Sequence, residues 1–222
     1  MGLTKNILIA CRRKATRARV RRRDFTIISN NCWGAHIYQS LGEKYRTPFI
    51  GLFLAPACYV SLVSRFRWYL EQPIQFNERS RHGYINSLRE EKRLSYPIGC
   101  LGGDVEIQFL HYESEAEASD KWHRRVERIS RDDSRLFFKF CDRDGCSPVQ
   151  LAAFDATPVA HKVCFVSKPL THLTSAVWIP GSSDGQVPDG GQLSRISPRY
   201  FDAAGWVNGS DGRPKWWLPG DI

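Results

Sequence analysis

Short apolar runs alternate along the chain with longer segments whose apolar residues recur every three or four positions. Short β-branched and aromatic runs favour strands, and the longer periodic segments favour amphipathic helices. The predicted strands cover residues 25–29, 50–54, 74–76, 136–140, 162–166 and 176–179. The predicted helices cover residues 33–41, 59–70, 113–130, 148–154 and 199–207. Residues 77–95 are polar and receive no assignment.

A β-hairpin is predicted near the middle of the chain. Residues 98–101 and 105–110 are apolar runs, and Gly102 and Gly103 between them supply the positive φ angles of a tight turn. Elsewhere strands and helices alternate, which is typical of a largely parallel sheet with helices on both faces. We therefore predict an α/β fold over residues 25–210: a single domain with a mostly parallel central sheet covered by helices and one β-hairpin insertion.

Positive charge is concentrated at the start of the chain. The formal net charge is +9, and residues 1–24 contain nine Lys or Arg side chains against Asp24 alone. The rest is close to neutral, which argues against a basic nucleic-acid-binding fold despite an isoelectric point of about 9.4. We predict that residues 1–24 form a mobile arm and that residues 211–222 form a C-terminal tail. Residues 11–23 could instead contact an anionic membrane surface, and a contact with nucleic acid ranks last.

The cysteines indicate a reducing compartment. The seven cysteines are scattered and include no Cys-x-x-Cys pair, so neither a zinc ribbon nor a thioredoxin-type site is predicted. Residues 47–64 form an uncharged stretch of 18 residues, but Pro48, Gly51 and Pro56 interrupt it, so no spanning helix is expected there. We predict a cytoplasmic protein, with peripheral attachment to the inner face of the membrane as an option.

The first predicted strand ends in residues suited to binding an anionic ligand. Asn30, Asn31, Cys32 and Trp33 follow it directly and lead into a helix. Ligands of open parallel sheets bind at the carboxyl ends of strands, and helix N-termini attract phosphates and carboxylates. We therefore predict that Asn30, Asn31 and Trp33 bind substrate. The helix dipole should lower the pKa of Cys32 and make it a candidate nucleophile; the alternative is an inert cysteine in a capped, buried turn.

The predicted hairpin carries two candidate bases. Asp104 follows the glycine pair, and His111 lies at the far end of the second hairpin strand. A carboxylate or an imidazole can act as a general base, so we predict that Asp104 and His111 are catalytic together with Cys32. The alternatives are an exposed polar turn for Asp104 and an ordinary hydrogen-bonded histidine for His111.

Two arginines on a predicted helix could bind an anionic donor. Arg124 and Arg125 lie within residues 113–130 and are predicted to bind the donor; Arg124 and Arg128, one helical turn apart, could grip a diphosphate in bidentate geometry. The alternative is a solvated helix face on which Asp120 pairs with Arg124.

Two aspartates could bind a metal ion. Asp142 and Asp144 follow the strand at residues 136–140, and carboxylates at this spacing could hold Mg²⁺ or another divalent cation. The alternative is a tight turn that caps the helix starting at Pro148. No glycine-rich dinucleotide fingerprint and no P-loop motif occurs in the chain.

Six segments of the chain resemble a bacterial family. They are ISNNCWG (residues 28–34), TPFIGLFL (47–54), YPIGCLGGDVEIQFLHY (96–112), KWHRRVERI (121–129), FFKFCDRDGC (137–146) and HKVCF (161–165). In this order they resemble the family called domain of unknown function 1919, whose members are often labelled exopolysaccharide biosynthesis proteins. The resemblance implies a bacterial protein that works in the context of cell-surface polysaccharide, and it transfers no catalytic residues.

Two functions are compatible with these observations. We expect an exopolysaccharide or capsule biosynthesis protein that transfers a glycosyl, acyl or phosphate-linked group from an anionic donor, such as a nucleotide-sugar or an acyl donor, onto a sugar. The alternative is a non-catalytic binding or scaffold protein of the polysaccharide assembly machinery. The first expectation requires that the loops at the strand ends meet at one edge of the sheet.

Overall fold

The computed structural model describes residues 14–182 and 184–213. The strands are β1 (Thr26–Ser29), β2 (Ile74–Asn77), β3 (Ile98–Leu101), β4 (Val105–Gln108), β5 (Leu136–Cys141), β6 (His161–Val166) and β7 (Ala176–Trp178). The helices are α1 (Trp33–Leu41), α2 (Pro56–Ser64), α3 (Phe66–Glu71), α4 (Gly83–Glu91), α5 (Glu115–Val126), α6 (Pro148–Asp155), α7 (Gly190–Ile196) and α8 (Ala203–Val207). Residues 14–19 are helical as well. Short 3-10 turns occupy Asp133–Arg135 and Ser197–Arg199.

Two sheets organise the chain. The first has four parallel strands in the order β1-β5-β6-β7. The second has three antiparallel strands in the order β2-β3-β4, and β3–β4 is the predicted hairpin. The structure therefore confirms an α/β fold with a parallel sheet and a hairpin insertion. The carboxyl ends of β1 and β5 are neighbours, which brings the segment after Ser29 next to the segment after Cys141.

Strand β5 divides the interior into two apolar clusters. Leu136, Phe138 and Phe140 point to the cluster that contains α2, α5 and the hairpin, whereas Phe137 and Cys141 point to the cluster that contains α1, α7 and α8. Side chains alternate across a strand, so Lys139 belongs to the second face. All six residues of β5 are buried, as expected for a central strand covered on both sides.

Residues 50–54 were predicted as a strand, and the structure corrects this. The segment is irregular, and its one β-bridge joins Phe53 to Gln108. Gly51 has a φ of 71°, which ends any extended run at that point. The backbone N–H of Leu54 donates to the carbonyl of Asn30 at 3.0 Å instead of to a neighbouring strand. The segment thus connects the end of β1 to the hairpin.

Three helical boundaries also differ from the prediction. The helix predicted over 59–70 is two helices, α2 and α3, which meet at Arg65. The polar residues 77–95, unassigned from the sequence, include α4, which buries only Ile85 among its nine residues. The helix predicted from residue 199 begins at Ala203, where Asp202 caps it by accepting the N–H of Gly205.

The described part of the basic segment contacts the rest of the chain. Arg17 donates to the carbonyls of Gln39 and Ser40, and Arg19 forms an ion pair with Asp202. The Val20 side chain is buried in the cluster around α1. Residues 1–13 and 214–222 lie outside the described residues. The segment 11–23, for which a membrane contact was predicted as an option, is therefore described only from residue 14 onward. Within residues 14–182 and 184–213, no helix is both long and apolar enough to cross a bilayer.

Candidate functional site

Cys32 lies at the start of α1, directly beyond the carboxyl end of β1. It occupies the N-cap position of that helix, but its side chain makes no capping hydrogen bond. The preceding residue, Asn31, caps the helix instead, because its Oδ1 accepts the backbone N–H of Trp33 at 3.2 Å. The Trp33 indole is fully buried and donates from Nε1 to the hydroxyl of Ser197 at 3.1 Å. Trp33, predicted to bind substrate, therefore anchors α1 in the core.

His111 approaches Cys32 from the other sheet. The Sγ atom of Cys32 lies 3.8 Å from Nε2 of His111, within hydrogen-bonding distance for sulfur. The irregular connector places the histidine, since the backbone N–H of His111 donates to the carbonyl of Gly51 at 3.1 Å. Cys32 is half-buried and His111 is exposed, so a molecule in solution can reach the pair. Two of the three predicted catalytic residues are thus adjacent.

A buried lysine lies behind the thiol. Nζ of Lys139 donates to Oδ1 of Asn30 at 3.1 Å, to Oδ1 of Asn31 at 3.0 Å and to Sγ of Cys141 at 3.4 Å. The side-chain amides of both asparagines in turn donate to Sγ of Cys141 at 3.6 Å. Lys139 is fully buried, with its ammonium 6.0 Å from the ring of Trp33. Asn30 and Asn31, predicted to bind substrate, have their oxygens occupied by this lysine.

The electrostatics of Cys32 differ from the prediction of a lowered pKa. Burial raises the pKa of the thiol, the nearby ammonium of Lys139 lowers it, and the carboxylate of Asp189 raises it. Burial outweighs the attraction of the cation, so at neutral pH the thiol form dominates. A nucleophilic role for Cys32 therefore needs a base to remove its proton, and His111 is in position to do so.

Helix α7 closes against the start of α1. Asp189 caps α7 by accepting the N–H groups of Gly191 and Gln192. A Cβ atom on Gly190 would lie 2.6 Å from the backbone nitrogen of Trp33 and 2.9 Å from Oδ1 of Asn31. Only glycine allows this approach, which fixes the carboxylate of Asp189 near the thiol.

The predicted metal ligands have other partners. The carboxylate of Asp142 accepts the N–H and hydroxyl of Ser167 and the N–H of Val187, so it joins two loops. Asp144 has a φ of 64°, and burial raises the pKa of its carboxyl group. Among the described residues, no three His, Cys, Asp or Glu side chains are placed to bind one metal ion. A divalent cation at Asp142 and Asp144 stays a prediction, and the partners in the two loops already occupy the carboxylate of Asp142.

Asp104, the third predicted catalytic residue, lies at the opposite end of β4 from His111. Its carboxylate accepts the hydroxyl of Tyr69 at 2.7 Å and lies 3.6 Å from the guanidinium of Arg65. It is therefore part of the hairpin turn and not of the Cys32 site. Glu106, two residues further on, is buried and accepts the N–H of Arg81 at 2.7 Å.

The two predicted donor-binding arginines have different surroundings. Arg124 forms an i,i+4 ion pair with Asp120 at 2.7 Å on an exposed helix face, which is the alternative considered from the sequence. Arg125 is half-buried and donates to the hydroxyl of Tyr112 at 2.7 Å. Tyr112 directly follows His111, and Nζ of Lys121 lies 5.4 Å from its ring. Arg125 and Lys121 therefore lie against Tyr112, whereas Arg124 pairs with Asp120.

Three residues of this site were not among the sequence-based candidates: Lys139, Asp189 and Gly190. Lys139 carried a signal, because a lysine inside the apolar run LFFKFC must be buried if that run is a central strand. Asp189 and Gly190 carried none, since a glycine-rich loop gives no indication of which helix it will contact.

The fold and the site define an α/β protein with a thiol–imidazole pair at the carboxyl edge of a parallel sheet. Residues 3–208 match the family described as "Domain of unknown function (DUF1919)". A Haemophilus influenzae protein described as "Uncharacterized protein" is 36% identical over 188 residues, which cover 82% of this chain and 84% of that protein. The chain therefore belongs to the DUF1919 family. The family match begins at residue 3. It therefore includes most of the basic segment, which precedes all six of the resembling segments.

Proposed function

We propose that this protein is a cysteine-dependent acyltransferase that moves an acyl group from an anionic thioester donor onto a sugar hydroxyl of a cell-surface polysaccharide. The observation that carries the proposal is the distance of 3.8 Å between Sγ of Cys32 and Nε2 of His111. Of the glycosyl, acyl and phosphate-linked transfers compatible with the sequence, acyl transfer is the one that uses a thiol beside an imidazole. The sugar acceptor is proposed from the polysaccharide label that the family resemblance carries.

The reaction takes two balanced steps. First, His111 accepts the proton of Cys32, and the sulfur attacks the donor carbonyl; the acyl–enzyme thioester forms, and the donor thiol leaves with the proton from His111. Second, His111 accepts the proton of a sugar hydroxyl, whose oxygen attacks the acyl–enzyme. The sugar ester forms, and Cys32 leaves as a thiol after taking the proton back. A base within hydrogen-bonding reach of the nucleophile is what this chemistry requires.

Positive side chains around Tyr112, the residue after His111, support an anionic donor. Arg125 and Lys121 lie against Tyr112, the residue after the histidine. Cationic side chains attract phosphate groups of a donor, and arginine binds them through several N–H groups. We expect that Arg125→Ala raises the KM for the donor several-fold. Arg124→Ala is the matched control, because its guanidinium is held by Asp120 on the exposed face.

The direct test is to trap the acyl–enzyme. The protein is incubated with acetyl-CoA without an acceptor, and the peptide containing Cys32 is analysed by mass spectrometry. We expect one acetyl group on Cys32, none in Cys32→Ser, at least a tenfold slower reaction in His111→Asn, and no change in Cys146→Ser. Absence of an acetyl group from Cys32, or an unchanged rate in His111→Asn, would overturn the proposal.

The competing functions give different results with the same protein. Thermal stabilisation by a nucleotide-sugar without acylation of Cys32 would favour glycosyl transfer instead, because a ligand that binds the native state raises the melting temperature. No response to acyl-CoA or to any nucleotide-sugar would favour the scaffold alternative. Either result rejects the acyltransferase proposal.

A further inference from the structure

Lys139 is an isolated positive charge inside the protein. It is fully buried, and none of the ion pairs among the described residues includes it. Its Nζ atom has three acceptors, namely Asn30, Asn31 and Cys141. An ammonium group has three donors, so this coordination satisfies all of them. Burying a cation without a carboxylate is costly, which indicates that the position serves something other than core packing.

One of these acceptors connects the lysine to the reactive thiol. Oδ1 of Asn31 accepts Nζ of Lys139 at 3.0 Å and the backbone N–H of Trp33 at 3.2 Å. Trp33 is the first residue of α1, and Cys32 is its N-cap. The ammonium group of Lys139 therefore holds the carboxamide of Asn31 in place. This carboxamide in turn holds the backbone at the start of α1, where Cys32 lies. Because Nζ of Lys139 donates to Oδ1 of Asn31, any movement of the Asn31 carboxamide would leave a buried N–H group unpaired.

Asn30 provides the contrast. Its Oδ1 also accepts Nζ of Lys139, at 3.1 Å, and its amide donates to Sγ of Cys141 at 3.6 Å. Its side chain has no hydrogen bond to the backbone of α1 among those described. The two asparagines thus share the lysine, but only Asn31 transmits its position to Cys32.

We propose that Lys139 is a positioning residue that sets the orientation and the reactivity of the Cys32 thiol through Asn31. The inference rests on the proposed role of Cys32 as the nucleophile, but its test needs no substrate. The positive charge acts on the thiol as well, since it opposes the effect of burial on the pKa of Cys32. Loss of the lysine should therefore slow the reactions of Cys32 at a fixed pH and move their pH profile upward.

The experiment measures alkylation of Cys32 by iodoacetamide in the full chain between pH 6 and pH 10, with peptide mass spectrometry as the readout. Cys146 in the same molecule is the internal reference, because it is half-buried and burial raises its pKa to about 12. For Lys139→Met we expect an alkylation rate at pH 8 about tenfold lower than in the wild type, because loss of the nearby positive charge leaves a smaller fraction of Cys32 as thiolate. Lys139→Arg, which keeps the charge, should retain part of the rate.

Two matched variants control for general damage. Lys162→Met removes a lysine from the neighbouring strand β6, where Nζ donates to the carbonyls of Asp155 and Thr157, and it should leave Cys32 unchanged. Asn31→Ala should slow Cys32 severalfold, and Asn30→Ala, which removes an acceptor of Lys139 but no hydrogen bond to α1, should slow it less. If Lys139→Met does not fold, as judged by near-ultraviolet circular dichroism, the comparison of Asn31→Ala with Asn30→Ala tests the positioning role instead.

The results separate this inference from the acyltransferase proposal. If Cys32 accepts an acetyl group from acetyl-CoA but is equally reactive in Lys139→Met or in Asn31→Ala, the positioning role is rejected and the enzymatic proposal stands. If Lys139→Met slows alkylation of Cys32 but no donor acylates the wild type, the positioning role stands and the enzymatic proposal is rejected. Equal slowing by Asn30→Ala and Asn31→Ala also rejects the relay through Asn31.

Discussion

Cys32 and His111 are 79 positions apart in the chain, and their side chains meet at 3.8 Å. The cysteine follows a strand of the parallel sheet, and the histidine follows a strand of the antiparallel sheet. The irregular segment around Gly51 holds the two together, because it donates to the carbonyl of Asn30 and accepts from the N–H of His111. The geometry of the pair therefore depends on the junction between the two sheets.

Neutralising Asp189 should make Cys32 more reactive. The carboxylate raises the pKa of the thiol, so Asp189→Asn should lower that pKa and increase the rate of alkylation by iodoacetamide at pH 8 about two- to fivefold. Asparagine is also a good N-cap, so α7 should keep its first turn. Asp202→Asn changes the N-cap of α8 in the same way and should leave the rate unchanged. A slower Cys32 in Asp189→Asn would contradict the electrostatic explanation.

Adding one methyl group at Gly190 should disturb the site. The new Cβ atom would lie 2.6 Å from the nitrogen of Trp33 and 3.1 Å from that of Cys32, so α7 or α1 must shift. We expect Gly190→Ala to lower the free energy of unfolding by about 1–3 kcal/mol, the usual range for overpacking, and to change the alkylation rate of Cys32. Urea denaturation measures the first effect.

Gly191→Ala is the matched control for that variant. Its Cβ atom would contact only Oδ1 of Asp189 at 3.2 Å and Nε2 of His36 at 3.5 Å, both at the ends of side chains. Alanine is favoured over glycine in a helix by about 1 kcal/mol, so stability should hold or rise. Equal losses in the two variants would show that the close approach at Gly190 is not the cause.

Stability should fall in alkali because of Cys58. Burial raises the pKa of this thiol from 9.0 to about 11 in the folded protein. Between these values the unfolded chain releases the proton first and the folded state retains it, so each rise in pH favours unfolding. The loss is about 2 kcal/mol at pH 11 and approaches about 3 kcal/mol above that pH, from two pH units at about 1.4 kcal/mol each. Guanidinium denaturation of the wild type and Cys58→Ser at pH 8 and pH 11 measures it.

The serine variant isolates the contribution of Cys58, because its hydroxyl does not ionise in this range. Its stability should decrease less than that of the wild type between the two pH values. An identical decrease in both proteins would assign the alkaline loss to other groups.

The first turn of α6 should depend on a capping box. The hydroxyl of Ser147 accepts the N–H of Gln150, and the Gln150 side chain accepts the N–H of Ser147. Ser147→Ala should lower the free energy of unfolding by about 1 kcal/mol. Val149→Ala in the same helix should change it by less, because that side chain is 77% exposed. Thermal melts of both variants give the comparison, and equal effects would contradict it.

The sequence predicted the parallel strands and the hairpin well because their apolar runs are short and bounded by turn residues. It failed at residues 50–54, where the composition is that of a strand but the backbone hydrogen bonds go to Asn30 and Gln108. It also missed α4, whose residues are mostly polar and bury little. Apolar periodicity detects a helix only where packing makes one face apolar.

The site was predicted in part. Cys32 and His111 were both identified as candidates, but from separate local arguments, and no local pattern indicated that they touch. Asp104 was placed in the same group because a carboxylate can act as a general base, but it precedes β4 and His111 follows that strand. Arg124 and Arg125 differ by one position, about 100° around the helix, and only tertiary structure shows which one faces Tyr112.

The order of synthesis has a consequence for the parallel pairing of β1 with β5. Thr26 lies opposite Leu136, so the first strand must wait for its partner until more than a hundred further residues have been made. During translation Cys32 is made first, followed by His111, then Lys139 and finally Gly190. The nascent chain therefore exposes an unshielded thiol, and its shielding is completed only after the segment around Gly190 has left the ribosome.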